Sequence, residues 1–137
     1  MSKLETFWDS SALVALLLQG PHSTAAQGIW SASGRAWCWK WTQVEVEAVL
    51  GQRRAQPATW AAWRRVMSAM QWLDLVPGAQ PALCQFNRTA RLSAPVAAQL
   101  FVFDRASAAV HGLQLLSFDR ETILAAEMLS MPMVAVE

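Results

Sequence analysis

Asp9-Ser10-Ser11-Ala12-Leu13-Val14-Ala15-Leu16-Leu17-Leu18 is the stretch on which the reading of the whole chain turns. Before it, Thr6 to Asp9 reads as a short buried strand. Within it, Ser11 to Gln19 reads as an apolar helix that Gly20-Pro21 stops. An acid therefore stands where a strand hands over to a helix. Its plain role is to cap that helix by accepting free N–H groups. The other role follows from position, because an open parallel sheet forms its sites at the carboxyl ends of its strands.

The same alternation continues outward. Ser23 to Ser31 predicts a second helix, ended by the Ser33-Gly34 turn. Ala36 to Trp41 places Trp37, Trp39 and Trp41 at a period of two, which predicts a strand. Thr42 to Arg54 predicts a helix with Thr42 as N-cap and Glu45 at the capping-box spacing. Ala58 to Leu73 predicts a helix with a stripe of Trp60, Trp63, Met67 and Met70 that suits a core or a protein interface. Asp74 to Val76 is a candidate short strand before Pro77-Gly78. Pro81 to Leu92 and Pro95 to His111 predict two more helices, with Gly112 as C-cap of the second. Gln114 to Phe118 predicts a strand ending at Asp119, Glu121 to Leu129 a helix, and Pro132 to Val136 a last strand. Strands separated by helices predict an α/β fold with a parallel sheet covered on both faces.

The chain has 137 residues, which suits a single domain spanning residues 1–137. It is 54% hydrophobic and only 15% charged, so a partner or a second copy is expected to cover part of its surface. A net charge of +1 excludes a strongly basic nucleic-acid binder. If four of the 10 acids share a metal pocket, however, six face 11 basic residues and the remaining surface is basic. Arg53, Arg54, Arg64 and Arg65 are candidates for a basic rim or for a solvated face. Cys38 and Cys84 make neither a disulfide framework nor a metal spacing and read as reduced thiols of a cytoplasmic protein. Lys3 stands near the N-terminus, but Glu5 and Asp9 interrupt any apolar signal core, and the run Ala12 to Leu18 is too short to cross a bilayer. With two histidines, His22 and His111, no Ser/His/Asp or Cys/His arrangement is convincing.

Four acids are candidates for chemistry. Asp9 and Asp119 each follow an apolar strand and precede a helix. Glu45 lies in the first turn after the tryptophan strand, with Glu47 as a competitor on another face. Asp104 lies in the helix before the Asp119 strand. Carboxylates suit Mg²⁺, which takes oxygen ligands and keeps several waters. As a cluster without a cation they repel one another and raise each other's pKa.

Three motifs resemble, in order, those of PIN domains of the VapC toxin type. The first is the Asp9-Ser10-Ser11 segment with its apolar helix. The second is Thr42-Gln43-Val44-Glu45. The last is the stretch Arg105 to Arg120, a small-residue helix, Gly112, an apolar strand and Ser117-Phe118-Asp119-Arg120. The resemblance implies a three-layer α/β/α sandwich with a central, mainly parallel sheet of about four or five strands. It implies an Mg²⁺- or Mn²⁺-dependent endoribonuclease acting on RNA, dimeric, and silenced by a small antitoxin. Asp9, Glu45 and Asp119 match metal-ligand positions, Ser11 and Ser117 match supporting hydroxyls, and Arg120 is a candidate phosphate contact. One departure stands out. Counting back from Gly112 reaches Phe101 where the resemblance implies an acid. Asp104 follows three residues later, on the same face after a turn of roughly 300° and a rise of roughly 4.5 Å, and is the candidate substitute. The alternative is a catalytically impaired PIN-like domain kept for binding or regulation. A third reading is an unrelated α/β interaction domain whose acids are caps.

Overall fold

The computed structural model describes residues 3–136, and these form four strands alternating with seven helices. The strands are β1 (Leu4–Trp8), β2 (Ser33–Trp39), β3 (Gln71–Leu73) and β4 (Leu113–Leu116). The helices are α1 (Ser10–Leu17), α2 (Ser23–Ala32), α3 (Thr42–Gln52), α4 (Pro57–Ala69), α5 (Gln80–Ala90), α6 (Ala94–Ala109) and α7 (Arg120–Met128). All strand pairings are parallel, in the order β3-β2-β1-β4. The chain thus steps from β1 to β2 to β3 in one direction, then returns past β1 to place β4 on its other side.

That order fixes the layers. Right-handed crossovers send the two outward steps over one face and the return step over the other. Two cores result. Trp8, Cys38 and Leu116 point to the face carrying Ala12, Leu13, Ala26, Val46, Leu50, Trp63 and Val66 of α1 to α4. Phe7 and Leu115 point the other way, onto Val96, Leu100, Phe103 and Ala106 of α6 and Ala125 and Ala126 of α7. The period of two along each strand divides neighbouring residues between the two cores. The three-layer sandwich follows from that division.

The tryptophan stripe is core. Trp63 is fully buried and Met70 buried, with Trp60 and Met67 half-buried beside them. Four boundaries differ from expectation. Ser33-Gly34 is no turn but the start of β2, because Leu4 and Glu5 of β1 pair with Ser33 and Arg35, and β2 ends at Trp39 rather than Trp41. α4 ends at Ala69, because Met70 is extended and Gln71–Leu73 pairs with Trp37–Trp39 of β2. The short strand is therefore β3, and Asp74 to Val76 is irregular. The segment from Pro132 is no strand but docks on β4: Leu115 N donates to the Pro132 carbonyl and Val134 N to the Leu115 carbonyl, both at 2.9 Å. α6 ends at Ala109 with Val110 as C-cap, while Gly112, at φ +75°, makes the left-handed turn into β4. Among the described residues no helix is long and apolar enough to cross a membrane.

Candidate active site

A reversal of strand order opens a crevice at the carboxyl ends of the strands flanking it. Here the reversal lies between β1 and β4, and Asp9 directly follows β1. Asp9 caps α1 through Oδ1, which accepts from Ala12 N at 2.9 Å. Oδ1 also accepts from Ser11 Oγ at 2.6 Å, and Oδ2 accepts from Ser117 Oγ. Ser11 Oγ in turn accepts from Phe118 N at 2.9 Å, and Ser117 Oγ from Asp119 N at 3.1 Å. The two serines therefore stitch the end of β1 to the end of β4, and they hold the buried Asp9 carboxylate in one orientation.

Asp119 arrives from β4. Its Oδ2 caps α7, accepting from Thr122 N at 3.0 Å and Thr122 Oγ1 at 2.7 Å, while the side chain stays exposed. Glu45 arrives from the first turn of α3 and is half-buried. Thr42 makes no cap; Trp41 holds that position in helical conformation, and the Thr42 hydroxyl is buried against Gln99. The capping box is thus not formed. Glu45 and Asp119 line both lobes of one groove. The smaller lobe, of about 220 Å³, is completed by Asp9, Ser10, Pro95, Val96, Gln99 and Thr122. The larger, of about 510 Å³, carries Val14, Leu18, Val49 and Arg53, with His22 and Phe118 stacked at 4.5 Å between ring centroids.

The charges interact. Burial pushes the Asp9 pKa up, three hydrogen bonds from Ser11, Ser117 and Ala12 oppose that, and Asp119 adds to it. Burial also raises Glu45, and the Asp9 charge raises it further. The Cys38 thiol beneath them is pushed up by burial and by both carboxylates, so it stays protonated; its Sγ donates to the Trp8 carbonyl at 3.3 Å. No three His, Cys, Asp or Glu side chains among the described residues come close enough together to ligate one ion as a set.

No protein-family sequence model matches the chain, and no curated protein matches it significantly by sequence. Its structure does match. A crystal structure of VapC20 from Mycobacterium tuberculosis, described as a sarcin-ricin loop cleaving toxin, superposes with a TM-score of 0.67 at 19% identity, covering 88% of this chain and 95% of that one. PAE2754 from Pyrobaculum aerophilum superposes with a TM-score of 0.59 at 20% identity, covering 89% and 79%. The chain has the PIN-like fold of these two structures.

Within this PIN-like fold Asp104 stands apart from the other three acids. Asp104 is exposed and lines neither lobe, and its backbone carbonyl accepts from Ser107 Oγ at 2.8 Å. Phe101 is buried elsewhere, beside Phe86 at 5.9 Å between ring centroids and beneath Arg105 at 4.8 Å. The residues of α6 that reach the groove are Pro95, Val96 and Gln99, and Gln99 is the polar one. At about 100° per residue, Asp104 sits roughly 140° around the helix from it. Gln99 was missed, although it is the one polar residue in the run Val96 to Phe103. A polar side chain on an otherwise apolar helix face is the informative kind of exception. Arg120 is exposed and lines neither lobe; Arg53 is the cation that does.

The raised carboxylates of the PIN-like fold make its stability pH-dependent. An acid whose pKa is higher in the folded state binds its proton more readily there. Stability is then fullest below the unfolded value and falls as pH rises through the folded one. For Glu45 the fall begins near its ordinary value of 4.5 and runs upward. The Glu45→Gln variant should therefore melt above the unaltered metal-free protein at neutral pH, with the gap closing as pH approaches about 4. Thermal melts across that range check this; a gap that widens toward acid contradicts it.

Proposed function

We propose that the protein is a divalent-metal-dependent endoribonuclease of the toxin type, hydrolysing RNA phosphodiester bonds in this groove. The observation that carries the reading is that Asp9, Glu45 and Asp119, which follow three different strands, line one cleft at the reversal of strand order. The likeness to a toxin described as cleaving the sarcin-ricin loop supports it.

The donor chemistry fits Mg²⁺ or Mn²⁺. All three side chains offer oxygen, and Asp119 Oδ1 and the Glu45 carboxylate are free of hydrogen-bond partners among the described residues. A cation would offset the burial and the mutual repulsion that raise Asp9 and Glu45, and Mg²⁺ is usually held by one or two carboxylates with water in its remaining positions. On this reading one or two of Asp9, Glu45 and Asp119 would hold the cation directly, and the rest would reach it through its bound waters. When bound, it would supply positive charge beside the phosphate oxygens and lower the pKa of a bound water below that of bulk water. Ser11 and Ser117 keep Asp9 fixed. Glu45 brings its carboxylate to the groove from the first turn of α3. Arg53 attracts the phosphate backbone into the larger lobe, and the His22–Phe118 stack offers an apolar wall for a base.

The proposed setting is the cytoplasm, with a homodimer held silent by a small antitoxin. The exposed Val76, Leu124 and Met128 and the apolar composition favour a covered surface. A second reading, a catalytically impaired domain serving as a binding or regulatory protein, is favoured by Gln99 standing beside the acids and by the lack of a three-residue ligand set. Incubation with total RNA separates the two. Discrete fragments with Mg²⁺ or Mn²⁺, abolished by EDTA, are expected. Intact RNA at every metal concentration would favour the impaired domain.

A further inference from the structure

Gln99 is 6% exposed, and its Nε2 is buried with no hydrogen-bond partner, alone in that respect among the buried side-chain atoms of the described residues. A buried unsatisfied donor is costly, and where one persists it has a reason. Packing requires nothing polar here, since Val96, Leu100 and Phe103 form the apolar face of α6 around it. Gln99 Oε1 lies 3.5 Å from the buried Thr42 hydroxyl, which can donate to it. With its oxygen turned to Thr42 of α3, the amide keeps an unpartnered N–H₂ end in a side chain that lines the smaller lobe together with the acids.

The smaller lobe is lined by three carboxylates and the hydroxyls of Ser10 and Thr122, and by no lysine or arginine. Thr122 Oγ1 already donates to Asp119. Gln99 is thus the one side chain of this lobe with a nitrogen donor to spare. We propose that Gln99 is a substrate-binding residue, whose Nε2 donates to a non-bridging oxygen of the phosphodiester held beside Asp9, Glu45 and Asp119. The assignment rests on the nuclease reading above. It gives Gln99 a task that a carboxylate at the same place could not perform, because a carboxylate has no proton to offer an anion and repels it.

Binding of a short fluorescein-labelled single-stranded RNA of random sequence, with Ca²⁺ in place of Mg²⁺ so that binding is read without turnover, tests this. Gln99→Met, close in size and without the donor, should raise Kd by about tenfold, the loss of one hydrogen bond to a charged group. Its melting temperature should stay level or rise, because the unsatisfied group is gone. Gln99→Glu keeps the acceptor for Thr42 and adds charge. It should weaken RNA binding at least as much while tightening Mn²⁺ in calorimetry. Where the methionine variant folds poorly, the glutamate variant decides. Variants that bind RNA as the unaltered protein does overturn the assignment of Gln99 and leave the nuclease reading standing. An unaltered protein that binds no RNA overturns both.

Discussion

Replacing Asp9 with asparagine is expected to reduce RNA cleavage by more than about a hundredfold and to leave the fold intact. The asparagine keeps the size of the side chain and an oxygen for Ala12 N and Ser11 Oγ, and the Ser117 hydroxyl can turn to accept from its amide. The bridge between β1 and β4 therefore survives. What disappears is the negative charge of Asp9, which raises the Glu45 pKa and lies in one cleft with Glu45 and Asp119. Loss of a hydrogen-bonding partner of a metal ligand costs about ten- to a hundredfold in comparable sites, and loss of the ligand charge itself should exceed that. Folding should not suffer, because burying this carboxylate is what pushes its pKa up. The assay is cleavage of the same RNA at saturating Mn²⁺, with circular dichroism as the folding control. Cleavage within about threefold of the original would remove Asp9 from the chemistry, an effect below 1 kcal/mol by the transition-state scale.

The largest structural effect is expected at Trp63. Its ring is fully buried between α3 and the sheet, meets Trp72 edge-on at 6.3 Å and 89°, and its Nε1 donates to Glu47 Oε2 at 3.1 Å. Trp63→Ala removes all of these contacts and leaves a cavity in the core shared by α1, α3 and α4. Such truncations cost about 3–5 kcal/mol. Against a typical total of about 5–15 kcal/mol, that brings the domain close to unfolding at ambient temperature. Urea denaturation should show the midpoint fall steeply at unchanged slope. A loss below about 1 kcal/mol would mean that the core is organised differently.

The parts of this domain that can be read from its sequence are those with local causes. Asp9 followed by an uninterrupted apolar helix marks a strand end whatever the rest of the chain does. Asp119 after Leu113–Leu116 repeats the signal. Those two junctions set the α/β alternation and two of the acids in the groove. The parts that were misread have distant causes. Gln71–Leu73 is a strand because the edge of β2 offers Trp37–Trp39 as its partner; by itself it reads as the tail of α4. Thr42 lies inside α3 because Trp41 adopts a helical conformation ahead of it, and its hydroxyl then meets a residue 57 positions away. The face that α6 turns to the groove is fixed by Val96, Leu100 and Phe103 packing on Phe7 and Leu115. Counting back from Gly112 ignores that packing. The count arrives at Phe101, two residues beyond Gln99, and so on the opposite side of the helix.

Titration of metal-free protein with Mn²⁺ by calorimetry tests most directly whether the groove between β1, β4 and α3 is a cation site. Saturable binding is predicted for the unaltered chain, lost on Asp9→Asn and on Asp119→Asn while both variants stay folded. No binding up to millimolar Mn²⁺, or binding that both variants retain, would contradict it.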